Sequence, residues 1–309
     1  MKRQRGLTIV ELMIAVSIGA LVTLLAVTVL VTSNAGFVAQ AEAASVDDAG
    51  RFALASIERA ARQTGFVDWE REDLAGGADP AAPPGVRGLD AASLSATSAA
   101  LADPRPQAVN GSDILALRFA GSGPADGDGS MTTCAGFAVG AGQQGWSIFY
   151  VGLNAAGEPE LRCKYKGANS WSAEAVIGGV DSFQVLYGLD TDQVADGSAN
   201  VFLRATDINA RDSLLDLAGA TDAERQRDQM RKSWWKRVAS IKVSLLLHGA
   251  RASRNGSAYA FDLFGAAYSR TWGSTDRGTR ITKAELAPRL QERERREFSL
   301  TILLRNPAK

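Results

Sequence analysis

The chain is poor in the residues from which most reactive sites are built. It has one histidine, His248, and two cysteines, Cys134 and Cys163, among 309 residues. A histidine-ligated zinc ion or a Ser-His-Asp triad would rest on that single imidazole, and no recognisable nucleophile motif surrounds it. His248 follows an alternating apolar run and is expected at a surface or sheet edge, so an enzyme is disfavoured. Neither sign of charge is in excess. The 34 Lys and Arg residues balance 34 Asp and Glu, so the basic face of a nucleic-acid binder is missing. No proline lies between Leu7 and Thr64, and with Gly19, Gly36 and Gly50 as the weak points, one uninterrupted helix is open to this span.

What is present begins at the N-terminus. Lys2, Arg3 and Arg5 precede Gly6-Leu7-Thr8-Ile9-Val10-Glu11-Leu12, and from Leu12 to Val31 the chain is uncharged and mostly apolar. That is about the length a helix needs to cross roughly 30 Å of hydrocarbon. The basic flank predicts a cytoplasmic N-terminus. An ordinary secretory signal has a shorter apolar region followed by small residues at a cut site; a full span here precedes Ser33-Asn34-Ala35. A plain signal anchor would leave Glu11 unexplained. A carboxylate at the head of a spanning helix costs about 2.5 kcal/mol or more when deep in the bilayer, and so asks for a partner.

A basic leader ending in Gly, an apolar residue, three more residues, then Glu and a long apolar helix resembles the class III signal of type IV pilins and pseudopilins. The resemblance implies cleavage after Gly6 by a prepilin peptidase and N-methylation of the new terminus at Leu7, a position where many members carry Phe. It implies that Glu11, fifth residue of the processed chain, neutralises the terminal amine of a neighbouring subunit. Removing the leader takes three of the 34 basic residues, leaving 31 against 34 acidic ones, a net charge of about −3. The resemblance also puts the body outside the cytoplasm, where Cys134 and Cys163 could bridge; two free buried thiols are the alternative.

Beyond the apolar run, Phe37, Ala41 and Ala44, then Phe52, Ala53, Ile57 and Ala60 or Ala61, recur at helical spacing with charged residues between them. Gly65 follows as the stop. Residues 69–106, rich in Gly, Pro, Ala and Ser, read as a long loop with at most one short helix. Period-two alternation then marks strands at 114–119, 147–151, 161–166, 183–187, 241–247 and 298–304. The charged stretch 211–236 reads as a surface helix or lid between strands. The fold expected is α+β, a type IV pilin-like long helix packed on an antiparallel sheet. Its divisions are a leader (1–6), the transmembrane or filament-core half of the helix (7–32), an amphipathic half (33–65) and a β-rich periplasmic domain (66–309).

Short phrases along the body are similar to the PilW group of minor pilins. They include Ala53-Leu54-Ala55-Ser56-Ile57-Glu58-Arg59, Gly111-Ser112-Asp113-Ile114-Leu115, Gly179-Val180-Asp181-Ser182-Phe183-Gln184-Val185, Val243-Ser244-Leu245-Leu246-Leu247 and Arg296-Glu297-Phe298-Ser299-Leu300-Thr301. Each is weak alone; their order along the chain favours this group over other minor pilins. The resemblance implies a minor pilin of the bacterial inner membrane that initiates pilus assembly at the tip. Its partners would be other minor pilins, the major pilin and the prepilin peptidase, and no nucleic acid. A J-type pseudopilin of type II secretion and a pilin-anchored adhesin are the alternatives. No cofactor is expected. Asp190, Asp192 and Asp196 are spaced somewhat like a calcium loop, but Val194 and Ala195 stand where such a loop wants a ligand and a Gly, so the plainer reading is a solvated turn. Trp234-Trp235, flanked by Lys and Arg, could form a ligand platform; one core and one exposed tryptophan is the simpler expectation. Residues 289–297 mix both signs and read as a solvated face.

Overall fold

A computed structural model of the chain describes residues 8–66, 79–252 and 259–305. The expected leader with Gly6, the expected new terminus Leu7, and residues 69–78 of the expected loop lie outside the described residues. The chain divides into two compact units, residues 1–45 and 46–309. One helix, α1 (Ile9–Gln63), runs through the boundary between them. In the first unit α1 carries the apolar run, with an 18-residue window of mean hydropathy 2.7 and its side chains exposed. Among the described residues it is the one helix long and apolar enough to cross a membrane.

In the second unit the last turns of α1 bury Val46, Gly50, Ala53, Ile57, Ala60 and Ala61. These small and β-branched residues fall on one stripe at three- and four-residue spacing, so a sheet can approach the backbone closely. The charged residues between them stay at the rim, where Arg62 pairs with Glu58 one turn back.

The strands form two main antiparallel sheets, not the single sheet expected. The first joins β1 (Val86–Leu89), β2 (Ile114–Ala120), β3 (Gln144–Leu153), β4 (Pro159–Lys166) and β5 (Trp171–Gly178) in chain order. The second has the order β11-β8-β6-β7, from β6 (Val180–Leu189), β7 (Val201–Leu203), β8 (Val238–Ala252) and β11 (Arg293–Leu303). The chain passes between sheets at Gly179, whose φ of +75° suits glycine; a Cβ there would lie 2.6 Å from the His248 carbonyl oxygen. A two-stranded ribbon, β9 (Ala260–Asp262) with β10 (Arg280–Thr282), completes the strands described.

Both sheets and the end of α1 share one core. Leu115, Leu117, Phe149, Leu161, Phe183, Val185, Val243 and Leu245 pack with Ile57 and Ala61. The other face of each sheet is also covered. Ile114, Ala116, Ile148 and Tyr150 lie under Leu94 and Leu101, and Leu246 lies under Leu263, Ile281 and Leu286. This double cover is why β6 is buried at every position, where alternation alone suggested strands buried on one face.

Several sequence expectations change. The expected loop 69–106 contains β1, whose Arg87 and Gly88 break the apolar alternation that reveals the other strands. Residues 211–236 are not one helix: α2 (Ala205–Ser213) ends within them, α3 (Asp222–Lys232) starts with a Thr221–Glu224 capping box, and a single 3₁₀ turn covers 234–237. The cysteines form a disulfide, with Cα atoms 5.9 Å apart and a sequence separation of 29. It ties a loop to β4 and contributes about 3–4 kcal/mol in the chain-entropy account.

Candidate functional site: the amino-terminal helix and its docking face

The first turn of α1 is built around Glu11. Its Oε2 accepts from the Thr8 amide at 2.9 Å and from the Thr8 hydroxyl at 2.9 Å, and the Glu11 amide donates back to the Thr8 hydroxyl at 3.3 Å. This reciprocal cap satisfies helix-terminal amides that have no partner within the helix. Within the described chain, then, the carboxylate has a local partner but no cation. Further along the apolar run, Ser17, Thr23 and Thr28 each turn a hydroxyl back to the carbonyl four residues earlier, at 2.8 Å in each case. That return bond lets a hydroxyl sit in an apolar helix without an unmet donor.

At the other end of α1 the docking face is set by Gly50, Ala53 and Phe298. A Cβ on Gly50 would meet three Phe298 ring carbons at 2.6 Å, so the ring of β11 lies directly on the helix backbone. One turn before, Asp47 accepts from Arg296 of the same strand at 2.6 Å. Alternate residues of β11 therefore hold the helix by packing and by charge.

The strand is itself held by a buried polar group the sequence did not reveal. Arg295, expected in a solvated run, has its side chain fully buried, and its Nε donates to Asp181 Oδ2 at 2.7 Å. Its Nη atoms donate to the Arg293 carbonyl at 2.8 Å and the Leu290 carbonyl at 2.6 Å. His248, expected at the surface, is 5% exposed, with Nδ1 3.0 Å from Asp181 Oδ1. It is buried because β8 continues past it to Ala252 and pairs on both sides, with β6 and β11. Alternation gave no signal for it: residues 293–297 are charged at every position, and Arg295 shares its parity along the strand with the exposed Glu297, Ser299 and Thr301.

The other candidates settle into structural roles. Trp235 is buried, donates to Asn209 and meets Tyr187 edge-on; Trp234 is half-buried, with Arg211 and Arg237 5.5 and 5.3 Å from its ring centroid. The carboxylates of Asp190, Asp192 and Asp196 lie within 4.8 Å of one another. Their hydrogen bonds, however, are those of a turn. Asp190 accepts from the amides of Asp192 and Gly197, Asp196 from that of Ser198, and Asp192 from the Asn200 side chain. Arg237 stands 3.8 Å from Asp190 as a resident cation. Backbone amides and the Asn200 side chain donate to oxygens a calcium ion would use, and the nearby guanidinium opposes a second cation, so the set fits the metal poorly.

An apolar N-terminal helix with a carboxylate at its head, whose last turns pack on antiparallel sheets, is a pilin-like arrangement. Comparison with known proteins sharpens this. Residues 1–27 match the prokaryotic N-terminal methylation motif. Residues 148–306, just over half of the chain, match the family PilW, type IV pilus-assembly protein W. The chain belongs to the PilW family. No curated protein sequence matches it significantly. Among solved structures, a type IV-like pilin from Thermus thermophilus is similar at 16% identity and a TM-score of 0.39, covering 86% of this chain and all of that one; likeness at that level carries no weight in the assignment.

Proposed function

We propose that this protein is a minor pilin that primes type IV pilus assembly as part of a tip complex with other minor pilins. The observation that carries the reading is that a methylation motif, an uncharged span headed by Glu11 and a PilW body occur on one chain. In this reading a prepilin peptidase cuts after Gly6 and methylates Leu7. Residues 7 to about 31 then hold the subunit in the inner membrane by a single pass, with the body in the periplasm. Burial of the apolar helix in lipid stabilises the waiting monomer, and packing against other helices replaces that burial in the filament. Glu11 exchanges its neutral Thr8 donors for the terminal ammonium of a neighbour, so that the carboxylate gains an opposite charge as well as a hydrogen bond. The protein's role is structural rather than catalytic.

The test is the intact mass and N-terminus of the protein recovered from membranes. A chain beginning at N-methylated Leu7 supports the scheme; one beginning at Met1, or cut after the apolar run, overturns it. A second arm is Glu11→Ala, expected to reduce piliation while leaving the melting of residues 46–309 unchanged. Normal piliation in that variant argues against the assembly role.

A further inference from the structure

Residues 93–105 form a loop pinched at its base and laid over the outer face of the first sheet. Ser93 and Arg105 close it with two backbone hydrogen bonds of 2.9 and 2.8 Å, making it a compact surface loop of the Ω type. Beneath it lie Ile148, Tyr150, Trp146 and Trp171. Leu94, Ala100 and Leu101 supply the apolar contacts that hold it down. Among the described residues, its side-chain hydrogen bonds to the sheet come from one group. Lys164 of β4 donates from Nζ to Ser98 Oγ at 3.0 Å and to the Ala100 carbonyl at 2.9 Å.

Two features oppose this closed arrangement. Ala100 and Asp103 sit at φ of +42° and +53°, a left-handed conformation costing roughly 1–2 kcal/mol per residue outside glycine. Lys164 is wholly buried and faces the Trp171 ring 5.5 Å from its centroid, and among the described residues no carboxylate pairs with it. Burial brings its amine down to about 8. The charged groups nearby are engaged elsewhere or share its sign. Glu160 pairs with Arg162 on β4, Glu174 of β5 accepts from Tyr165, and Arg105 of the loop is a further cation. Lifting the loop would return the ammonium to water and let both residues relax.

We propose that residues 93–105 are a lid that opens off the sheet as a unit, with Lys164 the buried charge whose rehydration favours opening and whose burial the apolar contacts must offset. Opening bares Trp146, Tyr150 and Trp171 while the shared core of the two sheets stays closed. The lid thus has its own equilibrium, distinct from global unfolding.

Hydrogen exchange of the full chain in detergent micelles, resolved by peptide, tests this. The Ser93 and Arg105 amides should exchange at least tenfold faster than those of β6. Lys164→Met keeps the length of the side chain and removes the charge, and should slow lid exchange at least fivefold with β6 unchanged. Because the closed lid holds the more weakly basic amine, raising pH from 7 to 9 should also slow wild-type opening, after correction for the intrinsic exchange rate. This second arm stands even where the variant fails to fold. Lid and β6 exchanging together would overturn the proposal. So would faster lid exchange in Lys164→Met, which would make Lys164 a latch, or a pH-independent opening rate.

Discussion

Replacing Gly50 by alanine tests whether the contact between α1 and β11 sets the docking of the helix. The added Cβ would stand 2.6 Å from Cδ2, Cε1 and Cε2 of Phe298, where carbon–carbon contacts settle at about 3.5–4.0 Å. The ring must therefore retreat by roughly 1 Å, or the helix must lift. Overpacking of this kind costs about 1–3 kcal/mol. Against it, alanine in a helix interior gains about 1 kcal/mol over glycine. The single variant should come out between neutral and about 2 kcal/mol less stable, and it is not by itself decisive. The decisive quantity is its coupling to Phe298→Leu, which shortens the side chain that blocks the methyl group. In the double variant the steric cost disappears and the propensity gain remains, so the coupling energy should be about 1–3 kcal/mol, favourable to the pair. Urea unfolding of the four proteins in detergent, followed by circular dichroism, gives the cycle. A coupling below about 0.5 kcal/mol would show that the ring does not restrain the helix at Gly50, and the account of the docking face would fall.

Further perturbations probe the rest of the molecule. Arg295→Met leaves Asp181 buried without its guanidinium and should cost about 3–5 kcal/mol, while Arg295→Met with Asp181→Asn should recover much of that; equal melting of wild type and single variant would refute the buried-pair account. Asp276 is 3% exposed, and burial, reinforced by Asp90, raises its carboxyl to about 6, against the opposing bond from Tyr268. The folded state thus holds this proton more tightly than the unfolded one. The contribution of Asp276 to stability therefore falls as pH rises from roughly 4 to 6, by up to about 3 kcal/mol. Wild type should gain on Asp276→Asn over that window as the pH is lowered, and a pH-independent difference would contradict the assignment. Because the acidic turn at Asp190 is satisfied by backbone amides and Arg237, about 10 mM calcium should move the melting temperature by less than about 1 °C; a larger rise, lost in Asp190→Asn, would establish a metal site after all.

Features that depend on local order along the chain were legible before any folding was known. The basic residues before Gly6, Glu11 and the apolar run carry the methylation motif and a helix long enough to span a membrane, because the length of a helix and the cost of a charge in hydrocarbon are local quantities. Alternation found β2, β3, β4, β6, β8 and β11 wherever at least one face carried a regular apolar series. It missed β1 and β5, and the three-residue β7, β9 and β10, whose strand character comes from pairing with their neighbours more than from their own residues. What the tertiary structure decided was the second layer. Two sheets close on α1 over one face of β6 and β8 while residues between 259 and 291 cover the other, and that second cover took His248 and Arg295 from an expected surface to the interior beside Asp181. It also decided the place of Lys164, since a lysine within an alternating strand is ordinary until a distant loop folds over it. Burial depends on which segments meet across the fold, and neither residue type nor spacing along the chain carries that information.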